Sequence, residues 1–445
     1  MDEQATPPPT PTPSDQPTPD QEAPEAGRHR LGTSIVVPIA IVAIVVAIIG
    51  AIVLFAREDQ DKGLATLVAS SVDPATLPVT LPFRYVAGHI VVDAAFGDGS
   101  RTVPLILDSG APTIVSADLA DVYAGESAGS LVSASIDGQV TTTDVVSLAS
   151  LRLGGAEFRD VGAARGFVEP GNPLYCVSGH GLVGASLMKE AVWQIDYGAG
   201  TVTIAESVDG LDHVDPGTSI EFTTVTPASP SPVIEVPAGD GTLSFLVDTG
   251  SNGWLTVNPN DLEGTGSSVA PTAPAYTTLG ASSTGTFETR IAYTAADLAF
   301  GDQTLPSVPI ATTTTLPEGR GNIGNEFLAN YVVTVDWPEG VLYLDPVDPD
   351  PRPSVPSSAA LSWSGGYVVG ELVEGATGTA GLELSAPVVA IDGEDVRAAT
   401  FDDYCVWSSR QPVGRLGLTI AGDEPTTVDA APVEDFFEDL GAQFD

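Results

Sequence analysis

Two short stretches hold residues that could do chemistry. "LILDSGAPTIV", residues 105–115, drives Asp108 between two apolar runs and follows it with Ser109 and Gly110. "SFLVDTGSNGWLTV", residues 244–257, does the same with Asp248, Thr249, Gly250 and Ser251. A carboxylate set between buried strands is costly unless it is paired or hydrogen-bonded. Asp before Ser/Thr-Gly is often only a turn with a side-chain cap. Two such carboxyls about 3 Å apart have another use, since they cannot both ionise and must share a proton. The ionised partner can then take a proton from water while the other donates toward a carbonyl oxygen. That chemistry needs no metal and no cofactor, and neither is expected here.

The acids can meet only if the chain supplies matching elements around each. Asp108 and Asp248 lie 140 positions apart, and the downstream segments repeat at the same interval. "GLVGASLMKEAVWQIDYGAGTVTIAE" and "GNIGNEFLANYVVTVDWPEGVLYLDP" align Gly184 with Gly324, Leu187 with Phe327, Asp196 with Asp336 and Gly200 with Gly340. A repeat on this scale signals two copies of one structural unit. Each copy begins with a hairpin pattern, "HIVVDAAFGDGSRTVPLIL" and "SPVIEVPAGDGTLSFLV", whose turns are expected at Asp98-Gly99 and Asp240-Gly241. Helical stretches are few and short, so the body is expected to be mainly β. Ser109 and Thr249 would brace the two loops through their hydroxyls. Gly110 and Gly250 would let the backbone approach closely. Ser251 could orient the outer oxygen of Asp248, whereas Ala111 offers nothing comparable to Asp108.

These motifs resemble aspartic proteases of the pepsin and retropepsin clan, and the likeness is to bacterial single-chain forms with two retropepsin-like halves. In that clan Asp-Thr/Ser-Gly is followed by a hydrophobic-hydrophobic-Gly triplet packed beneath the active loop. The triplets here are Leu182-Val183-Gly184 and Asn322-Ile323-Gly324, the second departing from the pattern at Asn322. The resemblance covers residues 76–348. It implies two pseudo-symmetric β lobes, 76–207 and 208–348, with Asp108 and Asp248 as the catalytic pair. Ser109, Gly110, Thr249, Gly250, Ser251, Gly184 and Gly324 would support the active loops. Hairpins closing over a peptide or protein substrate would have tips at Gly138, in "SASIDGQVTTTDVV", and Gly285, in "YTTLGASSTGTFETRI".

Other segments frame this body. The chain has 445 residues and a net charge of −43, with 16 Lys and Arg against 59 Asp and Glu. That balance argues against nucleic acid, whose phosphates call for basic side chains. Residues 1–33 are rich in Pro, Thr and acid and are expected to be a disordered cytoplasmic tail. Residues 34–57 hold an uncharged apolar run long enough to span a bilayer, so a single-pass helix in the cell membrane is expected, with the remainder outside the cytoplasm. A linker follows at 58–75. Beyond a Pro-rich linker at 349–359, residues 360–426 resemble a PDZ domain of the bacterial protease type, a small α+β fold, on Ala380-Gly381-Leu382 and the apolar strand from Val388 to Gly393. That likeness implies a peptide ligand added at a strand edge beside a loop at Gly365, Gly366 and Tyr367. Residues 427–445 form an acidic tail. Cys176 and Cys405 could pair outside the cell, but nothing in the sequence decides it. The chain is expected to be a monomer. The rival to an endopeptidase is a catalytically silent scaffold that binds peptides in the same cleft and in the PDZ-like module.

Overall fold

The computed structural model describes residues 57–445 apart from 98, 135–139, 227–228, 283–284, 378, 380, 411–413, 423–424, 439 and 441–445. The N-terminal tail, the apolar run at 35–56 and Gly138 lie outside the described residues. Among the described residues no helix is long and apolar enough to cross a membrane.

Residues 57–67 are helical, α1. They do not behave as a free linker. Leu67 is fully buried, and Ser71–Val72 pairs with the strand Ala156–Arg165. Lobe 1 continues through β1 (Val79–Pro82), β2 (His89–Phe96), β3 (Arg101–Asp108), β4 (Gly129–Ala134), β5 (Val140–Leu153), β6 (Gly181–Gly184), β7 (Val192–Asp196) and β8 (Thr201–Ala205). Lobe 2 repeats the plan in β9 (Ser219–Thr226), β10 (Ser229–Ala238), β11 (Gly241–Val247), β12 (Ala275–Ser282), β13 (Gly285–Phe300), β14 (Gly321–Ile323), β15 (Tyr331–Asp336) and β16 (Val341–Pro346). The C-terminal module opens with β17 (Ala359–Trp363) and β18 (Tyr367–Val373) and carries one longer helix, α2 (Phe401–Arg410). The molecule is mainly β, as its alternating patterns require. In β11, Leu243, Phe245 and Val247 all face the core, the period-2 signature of a strand with one buried side.

The repeat becomes a pseudo-two-fold arrangement. In lobe 1, β2 and β3 form an antiparallel hairpin, and β6 runs parallel to β3 with Gly184 opposite Asp108. In lobe 2, β10 and β11 form the matching hairpin, and β14 runs parallel to β11 with Ile323 opposite Val247. The turn of the second hairpin uses Gly239, at φ +53°, and Gly241 already belongs to β11. The lobes share one sheet, in the order β1-β8-β7-β15-β16-β9. Its central pair, β7 and β15, is antiparallel with Gln194 facing Thr334, and Gln194 Nε2 donates to Thr334 Oγ1 at 2.9 Å. Those two residues are repeat equivalents, so the pseudo-axis passes between them. A continuous apolar core holds Phe158 and Trp193 of lobe 1 together with Phe245, Phe327 and Tyr331 of lobe 2. The C-terminal module has its own core, built on Trp363, Tyr367, Tyr404 and Leu418.

Candidate active site

The site begins where β3 and β11 leave the core. Each strand ends at its acid, and the next residue reaches across to the other lobe. Ser109 Oγ donates to the Val247 carbonyl at 2.7 Å, and Thr249 Oγ1 donates to the Leu107 carbonyl at 2.9 Å. In return, Thr249 N donates to Ser109 Oγ at 3.0 Å and Ser109 N to Thr249 Oγ1 at 2.9 Å. Ser109 and Thr249 are fully buried, so all four bonds form away from water. The glycines then bring each loop against the opposite acid. Gly110 N donates to Asp108 Oδ1 at 2.9 Å, and Gly250 N to Asp248 Oδ1 at 2.9 Å. A Cβ at Gly110 would fall 2.5 Å from Asp248 Cγ, and one at Gly250 2.2 Å from Asp108 Cγ. Any side chain at either position would push the acids apart.

Gly184 and Gly324 lie tight against the two loops. A Cβ at Gly184 would lie 2.2 Å from the Pro112 carbonyl carbon, and one at Gly324 2.3 Å from the Gly253 carbonyl oxygen. Ala185 N and Asn325 N donate to the Ala111 and Ser251 carbonyls, both at 2.8 Å, which pins the loops from below.

The two carboxyls adjoin each other, each beside the glycine of the opposite loop. Burial, and then the negative charge of Asp248, hold Asp108 well above the usual aspartate range. Burial also raises Asp248, but N–H donors led by that of Gly250 offset part of the effect. Such a pair keeps one proton where an isolated aspartate would have lost it.

One expected contact falls elsewhere. Ser251 Oγ accepts from Gly253 N at 3.2 Å and so props its own loop. The outer oxygen of Asp248 is met by Asn322, whose Nδ2 donates to Oδ2 at 3.1 Å. Asn322 is the position where the second triplet departs from an apolar residue, and that departure was its one signal. Asn325 is a second unforeseen support. Its Nδ2 donates to the Thr249 carbonyl at 2.7 Å and the Gly88 carbonyl at 2.9 Å, while its Oδ1 accepts from Tyr197 at 2.7 Å.

A cleft of about 1910 Å³ opens above the acids. The hairpins β4–β5 and β12–β13 both contribute to its lining. Gly285 closes the second hairpin opposite Ser282, at φ +143°. The first hairpin pairs Ala134 with Val140, and the expected tip between them lies outside the described residues. The C-terminal module lines the cleft as well, through Leu361, Glu371 and Trp407. Gly365 and Gly366 form the β17–β18 turn, and Tyr367 packs against Trp363, Tyr404 and Trp407. Strand β18 is hydrogen-bonded along both edges. One edge faces β17, and the other faces β12 at Glu371–Val373 and residues 385–387 nearer its start. A peptide strand added to β18 would have to displace part of this pairing. Cys176 and Cys405 are joined by a disulfide.

No protein-family model and no curated protein matches the sequence. Among solved structures, the chain is similar to the aspartic proteinase from Irpex lacteus, at 13% identity and a TM-score of 0.39, over 61% of this chain and 97% of that one.

Proposed function

We propose that this chain is a membrane-anchored aspartic endopeptidase whose two lobes act outside the cytoplasm. One observation carries the reading. The reciprocal clasp of Ser109 and Thr249 sets two half-buried carboxyls side by side at the floor of an open cleft. A turn cap explains one Asp-Ser/Thr-Gly at a surface, but not two meeting across a pseudo-axis under a cleft.

The chemistry follows from the shared proton. A water between the carboxyls gives a proton to the ionised one as its oxygen attacks the scissile carbonyl carbon. The protonated carboxyl donates to the carbonyl oxygen, giving a neutral tetrahedral diol. Collapse of the diol breaks the C–N bond. The amine nitrogen takes up the proton that the base had accepted, and the diol's second O–H proton returns to the dyad as the carbonyl re-forms. The cleft can seat several residues of an extended peptide. The Cys176–Cys405 disulfide supports an oxidising compartment, and the uncharged run at 35–56 supports the anchor.

The test is a peptide-library digest by the wild type and the Asp108→Asn and Asp248→Asn variants between about pH 3 and pH 7. Each variant is expected to lose at least about 10³-fold in kcat while still binding a hydroxyl-bearing analogue of the tetrahedral intermediate. Wild-type protein that binds the analogue and cleaves nothing at any pH would make the chain a silent peptide-binding scaffold instead.

A further inference from the structure

The repeat places Asn322 where lobe 1 has Leu182. Leu182 faces Ile106 on β3 and packs in an apolar group with Val91 and Val177, and Asn322 faces Leu246 on β11 in the same register. Both side chains are buried, at 4% and 7% exposure. An amide in that place costs free energy unless its polar atoms are used. Asn322 uses one of them. Nδ2 donates to Asp248 Oδ2, while Oδ1 is buried with no hydrogen-bond partner among the described residues. A residue kept for packing would be apolar like Leu182, and one kept for a structural network would have both ends engaged. Asn322 has only the end that touches the dyad engaged.

An amide N–H can only donate, and a carboxylate is a stronger acceptor than a carboxylic acid. Asp248 therefore receives a side-chain donor on its outer oxygen in addition to the Gly250 N–H on its inner one. Among the described residues, Asp108 receives only backbone N–H donors, from Gly110 and Ala111, apart from its contact with Asp248. The dyad is symmetric in its clasp and asymmetric in its donors.

We propose that Asn322 is a positioning residue that fixes the shared proton on Asp108 and leaves Asp248 as the anion that activates water. This rests on the endopeptidase reading above. The ionisable groups elsewhere in the cleft are His89, Arg165, Arg320, Glu326, Glu371, the tyrosines of β12 and β13, and Tyr404 of α2. None of these is among the principal influences on either acid, which are burial, the partner carboxyl and neighbouring N–H donors.

The test reads the proton directly, so it does not depend on turnover. Full-length protein labelled at aspartate ¹³Cγ is titrated by NMR, with the two signals assigned from Asp108→Asn and Asp248→Asn. In the wild type Asp248 should carry the charge in the singly protonated state, with Asp108 keeping its proton to higher pH. Asn322→Leu, which installs the lobe-1 residue, should raise the lower of the dyad's two transitions by about one pH unit, because the carboxylate loses a donor. Asn322→Asp, which keeps the shape should Leu impair folding, should raise it at least as far. The acid limb of kcat/KM should move up with it. A purely structural role would lower Tm and leave the transitions in place. An unmoved lower transition, or a proton held on Asp248 while Asp108 carries the charge, overturns the proposal. If peptide cleavage is absent but the titration behaves as stated, the enzyme assignment fails and the proton assignment stands.

Discussion

Ser109 and Thr249 bear no charge, yet their hydroxyls decide where two acids meet. Each hydroxyl donates to a carbonyl of the other lobe and accepts an N–H from its counterpart. Thr249→Ala therefore strands the Leu107 carbonyl and the Ser109 N–H in a dry interface. Leaving buried partners unsatisfied costs about 1–3 kcal/mol. The expected result is that loss in urea unfolding, together with a fall in kcat from carboxyls no longer held in contact. Ser109→Ala should behave alike. The double variant should cost less than the two losses added, because each substitution already loosens the loop that the other hydroxyl braces. Strict additivity would mean that the two hydroxyls do not act as one clasp.

Strand pairing controls a third carboxyl. Glu371 on β18 lies opposite Thr278 on β12, and burial pushes it up to about 7. An acid raised in the native state keeps its proton while the unfolded chain has already lost it. The unfolded state then binds fewer protons, so stability falls as pH rises from about 4.5 to about 7 and levels off above. Glu371→Gln should remove that slope, with wild type losing about 1–3 kcal/mol more than the variant across the window. Urea midpoints at pH 4.5, 6 and 7.5 would measure it, and parallel curves would show that the β12–β18 contact does not bury this acid. Little of this contact was legible in the sequence, whereas the meeting of the two acids was. The 140-residue interval picks out both acids, both hydroxyls and both underlying glycines, because a clasp built on a pseudo-axis needs equivalent residues at equivalent offsets. The β12–β18 ladder joins segments whose patterns would suit any neighbouring strand. The 58–75 stretch has linker composition at its start, but buries Leu67 only because lobe 1 offers a place for it. Asn322 left one trace, a polar residue in an apolar triplet, and its partner could not be read without the fold.

The C-terminal module is tied to both lobes. Its β18 extends the sheet of the lobe-2 hairpin through β12, and the disulfide at Cys405 in α2 holds Cys176 in lobe 1, 229 residues earlier. Since Leu361 and Trp407 line the cleft, these two ties set how far its walls can part. A cross-link closing so long a loop restricts the unfolded chain strongly, and native disulfides typically contribute about 2–4 kcal/mol. Cys405→Ser should lower stability by that amount and raise hydrogen exchange in α2 and its sheet. Amides around Asp248 should stay protected, because the clasp at the dyad does not depend on the module. Without the cross-link, the module would still hang on β12 and meet lobe 1 where Phe401 packs on Tyr175. The cleft mouth should therefore widen on one side, and cleavage of long polypeptides should gain on cleavage of short peptides. The ratio of the two rates in Cys405→Ser against wild type decides this. A ratio that does not change, with α2 exchange unaltered, would mean that β18 alone holds the module in place and the disulfide only adds stability.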